Sequence, residues 1–258
     1  MDLGLKGAIV LVTGGSKGIG LASARAFAAE GARIAICSRS EANIARALKE
    51  LPSAYGIAAD LIDDNAAAQM VDRVEKEFGP IAALVNSAGA ARRTQPEELT
   101  PAAWRAAMDP KFFSYINVID PVVKRMAARS KGVIVNVIGA GGKIASSTHI
   151  AGGAANAALM LATAGLGAAY APHGVRIVGV NPGLTETERV AEGLQSAAKL
   201  AGITPEEALR RSVAAIPMGR IASPEEIAAA VVFLASAKAS YITGVTLAMD
   251  GASAPTVL

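Results

Sequence analysis

The first residues with a clear chemical meaning form a glycine-rich turn near the N-terminus. Residues 12–20 read VTGGSKGIG, and Gly14, Gly18 and Gly20 lie between an apolar, strand-like run and a helix-like run. Glycines permit a sharp turn and let a pyrophosphate approach backbone amides at the positive end of a helix dipole. The spacing differs from G-x-G-x-x-G, so the strand–turn–helix context carries the prediction of a nucleotide site. The alternative is a purely structural turn.

The residues after the second apolar run indicate which dinucleotide would bind. An acidic residue there would accept hydrogen bonds from a ribose 2′-hydroxyl. The chain instead has Ser38, Arg39 and Ser40, and Lys17 lies in the glycine-rich turn. Because the planar guanidinium group suits a 2′-phosphate, we predict NADP(H) rather than NAD(H) as the cofactor. The alternative is that Arg39 and Lys17 are solvated surface cations.

Composition restricts the other classes of function. The chain has 258 residues, a formal net charge of +3, 52% hydrophobic residues and 4% aromatic residues. No basic stripe interleaved with aromatics is present, so we expect no nucleic-acid partner. The single cysteine, Cys37, excludes an intramolecular disulfide and a multi-cysteine metal site, and we expect no metal. The first ten residues lack the pattern of a signal peptide, so a cytoplasmic protein is expected.

Apolar runs alternate with amphipathic helical stretches along the whole chain. This alternation predicts a parallel sheet covered on both faces within one domain, residues 1–258. The predicted strands are residues 8–13, 32–38, 55–60, 81–89, 132–139, 174–183 and 244–251. A long helical region is expected from 101 to 129, a looser one to about 212, and a capped helix over 223–236.

Residues 144–175 contain no Asp, Glu, Lys or Arg and raise the question of a membrane span. The run is rich in Ala and Gly, and His149, Asn156 and Pro172 interrupt it. It has no aromatic belt and no clear flanking bias of positive charge. A buried helix packed closely against its neighbours is the better interpretation, and no membrane partner is expected.

Several motifs together resemble the short-chain dehydrogenase/reductase family over essentially the whole chain. They are TGGSKGIG, Asp60, NSAG at 86–89, NPGLTET at 181–187, and the block GRIASPEEIAAAVVFLASAKASYITGVTLAMDGA. The resemblance implies a single Rossmann-type domain with a seven-stranded parallel sheet, a small-molecule substrate, and a homodimer or homotetramer. It also implies a set of cofactor-binding residues: Gly14, Ser16, Lys17, Gly18, Ile19, Gly20, Ser38, Arg39, Asp60, Leu61, Asn86, Ala88, Gly89, Asn156, Pro182, Gly183, Thr185 and Thr187.

The sequence departs from the family where its chemistry is done. The family uses an Asn, a Ser, and a Tyr-x-x-x-Lys pair, in which Tyr is the general acid/base. Local alignment of GVIVNVIG and NAAL puts Gly139 at the serine, Gly152 at the tyrosine and Asn156 at the lysine, while the family's Asn falls on Lys111. Glycine has no proton to give, and a general acid/base step is worth about 10²–10⁴-fold in rate. Reductase activity with the usual geometry should therefore be severely reduced.

Other residues could replace the missing groups. Lys111 and Tyr115 are four residues apart, hence on one helix face, and Pro110 should kink the helix just before them. They could form a relocated acid/base pair; alternatively, Tyr115 packs in the core and Lys111 is a structural or solvated cation. His149 could titrate near neutral pH, or be incidental.

A cationic cleft is a further possibility in this sequence. Arg92 and Arg93 follow NSAG, where the family's substrate cleft opens, and Lys143 follows the fifth strand on the same side of the sheet. With Lys111, these residues could attract a carboxylate or phosphate of the substrate, or they are scattered surface charges.

Three functions therefore remain open from the residues alone. The first is an NADP(H)-dependent oxidoreductase with a rebuilt acid/base group, acting on a small carbonyl or alcohol compound that is either anionic or neutral. The second is a catalytically inactive dinucleotide-binding protein or sensor. The third is a non-redox enzyme on the same scaffold. Fold resemblance does not separate them, and we favour the first.

Overall fold

The sheet is built from seven short apolar segments whose residues are mostly buried. The computed structural model describes residues 2–89 and 93–255, apart from the side chains at 196, 197 and 200. Its strands are β1 (Ile9–Thr13), β2 (Arg33–Ser38), β3 (Tyr55–Ala58), β4 (Ala83–Asn86), β5 (Gly132–Val137), β6 (Val175–Pro182) and β7 (Thr246–Met249). They are all parallel and follow the order β3-β2-β1-β4-β5-β6-β7. The predicted fold class is confirmed.

Nine α-helices connect and flank these strands in the described residues. They are α1 (Gly18–Ala29), α2 (Glu41–Glu50), α3 (Asp64–Glu77), α4 (Pro101–Met108), α5 (Ser114–Ala128), α6 (Ile150–Tyr170), α7 (Glu188–Ala201), α8 (Pro205–Ala214) and α9 (Pro224–Ala235). Side-chain caps begin most of them, and Ser223 and Glu226 form the predicted capping box of α9.

Two helical regions that the sequence pattern predicted as continuous are divided in the structure. A π-helical turn, Asp109–Phe113, separates α4 from α5. Pro110 has no N–H to donate within a helix, and a wider turn accommodates that missing bond. The region after β6 ends its first helix at Gly202, whose φ of +63° is left-handed, before α8 begins.

Alternate strand residues supply two separate cores, one on each face of the sheet. Val10 and Val12 pack with Phe27 of α1 and Ile227 of α9 on one face. On the other face, Leu11 belongs to a cluster that contains side chains of α3, α5 and α6. Burial on both faces explains why the strands are apolar throughout instead of alternating with polar residues.

Helix α6, formed by the uncharged run, packs on the second face. Ile150–His173 is long and apolar enough to cross a membrane by length and composition. In the fold, its Leu159 is buried in the core, Thr163 accepts a hydrogen bond from Asn136 of β5, and Gly167 lies against Gly244. One face of the helix is thus a packing surface, as predicted. Leu161 on the other face is 76% exposed.

Candidate active site

The glycine-rich turn follows β1 at the carboxyl edge of the sheet and packs closely on its neighbours. Gly14 has φ +66°, and a Cβ there would lie 2.7 Å from the Ser87 carbonyl oxygen. A Cβ on Gly20 would lie 2.2 Å from the Gly14 oxygen. Gly89 has φ +87°, and a Cβ there would meet the Pro110 oxygen at 1.7 Å. At these three glycines backbone packs on backbone with no room for a side chain, and we call this region, above the ends of β1 and β4, the cradle.

The start of α1 at this cradle is suited to an anion. Lys17 is the N-cap residue, and among the described residues no side chain caps the helix, nor is there an acidic residue in its first turn. The first N–H groups of a helix need an acceptor, and a pyrophosphate supplies one at the positive end of the dipole. The residues present therefore fit the phosphates of a dinucleotide.

A row of buried polar side chains crosses the sheet under the cradle. Thr13, Asn86 and Asn136 are in register on β1, β4 and β5. Asn86 Nδ2 donates to Asn136 Oδ1 at 3.0 Å, and Asn136 Nδ2 donates to Thr163 Oγ1 of α6 at 3.0 Å. Thr13 Oγ1 accepts from the backbone N–H groups of Ser87 and Ala88. Asn86 was predicted from the sequence, whereas Asn136 and Thr163 were not, although the position of an amide residue inside an apolar strand was a usable signal.

At the adenosine side, the predicted residues lie along the ends of β2 and β3. Arg39 is exposed and forms no hydrogen bond or ion pair with the described residues, so its guanidinium group is available to a phosphate. Lys17, in contrast, lies 3.9 Å from Glu188 at the start of α7. Asp60 is exposed and accepts from the Ile62 N–H, and Leu61 is buried.

The segment after β6 closes the opposite side of the cradle. Thr187 caps α7, and a Cβ on Gly18 would lie 3.4 Å from Thr187 Cγ2. Thr185 is buried and pairs with Ala222 in a β-bridge. The remaining predicted members of the site are buried or partly buried in the same region: Ser16, Ile19, Ser38, Pro182 and Gly183.

Lys111 and Tyr115 meet, as their spacing predicted. Lys111 Nζ lies 3.2 Å from Tyr115 Oη and 3.2 Å from the Val137 carbonyl oxygen at the end of β5. The Tyr115 hydroxyl donates to the same oxygen at 2.5 Å, and this side chain has no exposed surface. Burial, helped by the nearby charge of Arg189, lowers the pKa of Lys111 to about 7. Burial raises the pKa of the Tyr115 phenol.

The loop after β5 lies against the start of α6, where Gly139 and Asn156, two of the positions predicted to replace catalytic residues of the family, lie side by side. Gly139 has φ +128°, and a Cβ there would lie 3.3 Å from Asn156 Nδ2. A Cβ on Gly141 would lie 3.2 Å from the His149 ring. Gly152 is buried in the first turn of α6. In the described part of the chain, Asn156 Oδ1 and His149 Nδ1 are buried without a hydrogen-bond partner. Such orphaned atoms suit hydroxyl or amide groups of a bound molecule.

Positive charges surround this loop. Arg93 Nη1 donates to Thr148 Oγ1 at 3.0 Å, next to His149, and Arg189 Nη1 donates to the Gly89 oxygen at 3.4 Å. Burial lowers the pKa of His149, and Arg93, Arg189 and Lys111 lower it further. Arg189 was not predicted from the sequence, because no local motif marks it. Lys143 is half-buried just after the turn at residues 140–142, and Arg92 lies outside the described residues.

Comparison with known proteins is consistent with this architecture. Residues 14–252 match a family model described as enoyl-(acyl carrier protein) reductase. The chain is 36% identical over 250 residues to a cis-4-hydroxycyclohexanecarboxylate dehydrogenase of Sinomonas cyclohexanicum, covering 94% of this chain and 95% of that protein. It is 37% identical over 251 residues to a galactitol 2-dehydrogenase (L-tagatose-forming) of Cereibacter sphaeroides, covering 96% and 95%.

A solved structure extends the likeness to three dimensions. L-sorbose reductase from Gluconobacter frateurii, in complex with NADPH and L-sorbose, has a TM-score of 0.93 and 28% identity over the full length of both chains. Fold and cradle define a dinucleotide-binding α/β protein. With these matches, the chain belongs to the short-chain dehydrogenase/reductase family.

Proposed function

We propose that this protein is an NADP(H)-dependent oxidoreductase that interconverts a small alcohol and its carbonyl compound, with Lys111 as the acid/base group. NADP(H) is supported by the NADPH complex of the sorbose reductase and by Arg39 after the second strand, whose guanidinium group has no partner among the described residues. The relatives named above carry a dehydrogenase or reductase activity on small hydroxy or oxo compounds in their names. When bound, NADP(H) supplies or accepts the hydride at the carbon that bears the substrate oxygen.

The carrying observation is the hydrogen bonding of Lys111. An ammonium group has three protons, and the Val137 oxygen and the Tyr115 hydroxyl accept two of them. The third N–H of the ammonium group has no acceptor in the described part of the chain. Because the pKa of Lys111 is about 7, this proton can be given up or taken back at neutral pH. Lys111 would give this proton to the substrate oxygen during reduction and remove it during oxidation.

The residues around Lys111 would hold its amine, the cofactor and the substrate in place. The buried hydroxyl of Tyr115 holds the Lys111 amine at the end of β5, so Tyr115 is a positioning residue. Asn156 stands at the family's lysine position, and its unpartnered amide oxygen can accept a hydrogen bond from a cofactor ribose hydroxyl. His149 faces the same loop and can hydrogen-bond the substrate oxygen.

The test measures hydride transfer directly. Wild-type protein with NADPH or NADP⁺ is assayed against a panel of small oxo acids, hydroxy acids, ketones and alcohols. Turnover is expected with at least one pair, and Lys111→Ala should lower kcat by about 10²-fold or more. Lys124→Ala, which removes an exposed lysine of α5, is the matched control and should retain the rate.

Two results would contradict the proposal. Full activity of the Lys111→Ala variant would remove the assigned group. Tight NADPH binding without hydride transfer across the whole panel would favour the alternative of a catalytically inactive dinucleotide-binding protein.

A further inference from the structure

The first turn of α7 presents two charged residues to opposite sides of the cradle. Glu188 lies 3.9 Å from Lys17, on the glycine-rich turn that faces the phosphates. The next residue, Arg189, donates to the Gly89 carbonyl oxygen at 3.4 Å. Gly89 in turn lies against Pro110, immediately before Lys111. Arg189 therefore faces the reacting end of the cleft, away from the phosphate end.

Arg93 approaches the same place from the other wall. Its Nη1 donates to Thr148 Oγ1 at 3.0 Å, and the N–H of Thr94 donates to the Thr148 oxygen, so this segment is held beside His149. Each arginine uses one donor in these contacts, and in the described part of the chain no further hydrogen bond from either guanidinium group is seen. Both side chains are exposed, so a ligand can reach them.

The charges at this end of the cleft are mostly of one sign. Arg189 lowers the pKa of Lys111, and Arg93 and Arg189 both lower that of His149 after the effect of burial. The carboxylate of Glu192, one turn along α7, is the exception, because it raises the pKa of Arg189 while Arg93 lowers it. Neighbouring cations repel one another, and a bound anion relieves that repulsion.

We propose that Arg189, with Arg93, binds a carboxylate group of the substrate and so makes this enzyme selective for a hydroxy or oxo acid over its neutral analogues. The inference rests on the proposed function, because it assigns the substrate class to the same cleft. A guanidinium group pairs with the two oxygens of a carboxylate in one plane, and these charged hydrogen bonds are short and strong. Such a pair would turn the oxygen-bearing carbon of the acid toward Lys111.

The first experiment needs no turnover. Malonate and its neutral analogue malonamide are titrated into protein saturated with NADP⁺, by calorimetry. Wild type should bind malonate and not malonamide, and Arg189→Ala should weaken malonate binding roughly 10- to 100-fold. Arg189→Lys should recover only part of this loss, since lysine keeps the charge without the planar fork. Arg210→Ala, an exposed arginine on α8, is the control and should bind as wild type does.

The second experiment compares substrates. For an active oxo acid and its primary amide, Arg189→Ala should reduce kcat/KM for the acid by a similar factor and leave the amide within about threefold. The Kd for NADPH should not change. Weaker NADPH binding by Arg189→Ala would assign the residue to the cofactor and overturn the proposal, as would equal binding of malonate and malonamide by wild type. Malonate binding that depends on Arg189 without any turnover would support the site while contradicting the oxidoreductase function.

Discussion

At the scale of single residues, Lys111 has the most unusual surroundings in the candidate site. It is 8% exposed, and its hydrogen-bond partners are a carbonyl oxygen and a phenol. Neither partner neutralises an ammonium charge, so burial disfavours the charged form and lowers the pKa to about 7 from 10.5. The burial on which the proposed acid/base role of Lys111 depends also costs folding free energy when the side chain is protonated.

This cost predicts a pH-dependent stability. Between about pH 7 and pH 10.5 the unfolded chain holds a proton on Lys111 that the folded chain has released, so the free energy of unfolding rises with pH. Between about pH 7 and pH 10.5, the free energy of unfolding of wild type should rise by up to about 1.4 kcal/mol per pH unit relative to Lys111→Met. Below pH 7 the difference between the two proteins should not change with pH. Urea unfolding at pH 6, 7, 8 and 9 measures the difference. Lys49→Met, on the exposed side of α2, is the control and should run parallel to wild type. A parallel curve for Lys111→Met would show that folding does not lower the pKa of Lys111.

At the scale of elements, two glycines of α6 have opposite roles although they are one helical half-turn apart. A Cβ on Gly167 would lie 2.6 Å from the backbone of Gly244 and 3.1 Å from the Ile177 oxygen, and backbone cannot move aside. Gly165 is exposed, and outside its own stretch of helix no heavy atom of the described residues lies within 4 Å of a Cβ added there. Close packing therefore requires a glycine at position 167, whereas a side chain would fit at position 165.

Two substitutions in α6 test this difference. Gly167→Ala should destabilise the fold by about 1–3 kcal/mol, because the helix must move away from the sheet. Gly165→Ala should be neutral or stabilise by up to about 1 kcal/mol, because alanine is the better helix former. Thermal unfolding of both variants measures the shifts. Midpoints that move in the same direction would contradict the packing of α6 described above.

At the scale of the whole molecule, the outer face of α6 is apolar and unusually bare of charge. Leu161 is 76% exposed in the middle of a run that lacks Asp, Glu, Lys and Arg. Exposed apolar area of this kind is typical of contact surfaces. It agrees with the expectation of a homodimer or homotetramer, which remains a prediction for this chain.

The prediction concerns the mass of the protein in solution. Wild type should be a dimer or tetramer by light scattering after size exclusion, and Leu161→Asp should shift it to a smaller species, because a charge would be buried in the contact. Leu209→Asp on α8 is the control and should leave the mass unchanged. A monomeric wild type, or an unchanged mass for Leu161→Asp, would contradict the assignment.

Much of the fold could be predicted because its signals are local. Each buried strand is an apolar run, each helix has its own period and often its own cap, and the order of elements restricts a parallel sheet to few topologies. The π-helical turn at Asp109–Phe113 was not predicted, although Pro110 marked its place. A proline shows that the regular hydrogen bond is missing, while the packing around it decides which irregular turn replaces that bond.

The sequence by itself determined the family and the glycine-rich turn, since both are patterns of neighbouring residues. That the family's four catalytic residues are replaced in this chain stays a prediction from the sequence. The sequence also paired Lys111 with Tyr115 through their helical spacing. Only the tertiary structure brought Arg189 to the carbonyl of Gly89, one hundred residues earlier in the chain. Likewise, only the tertiary structure buried Lys111 against β5 and placed Arg189 near it, which together lower the pKa of Lys111 to about 7. Desolvation and the summed field of distant charges depend on how the chain packs, and no local pattern contains them.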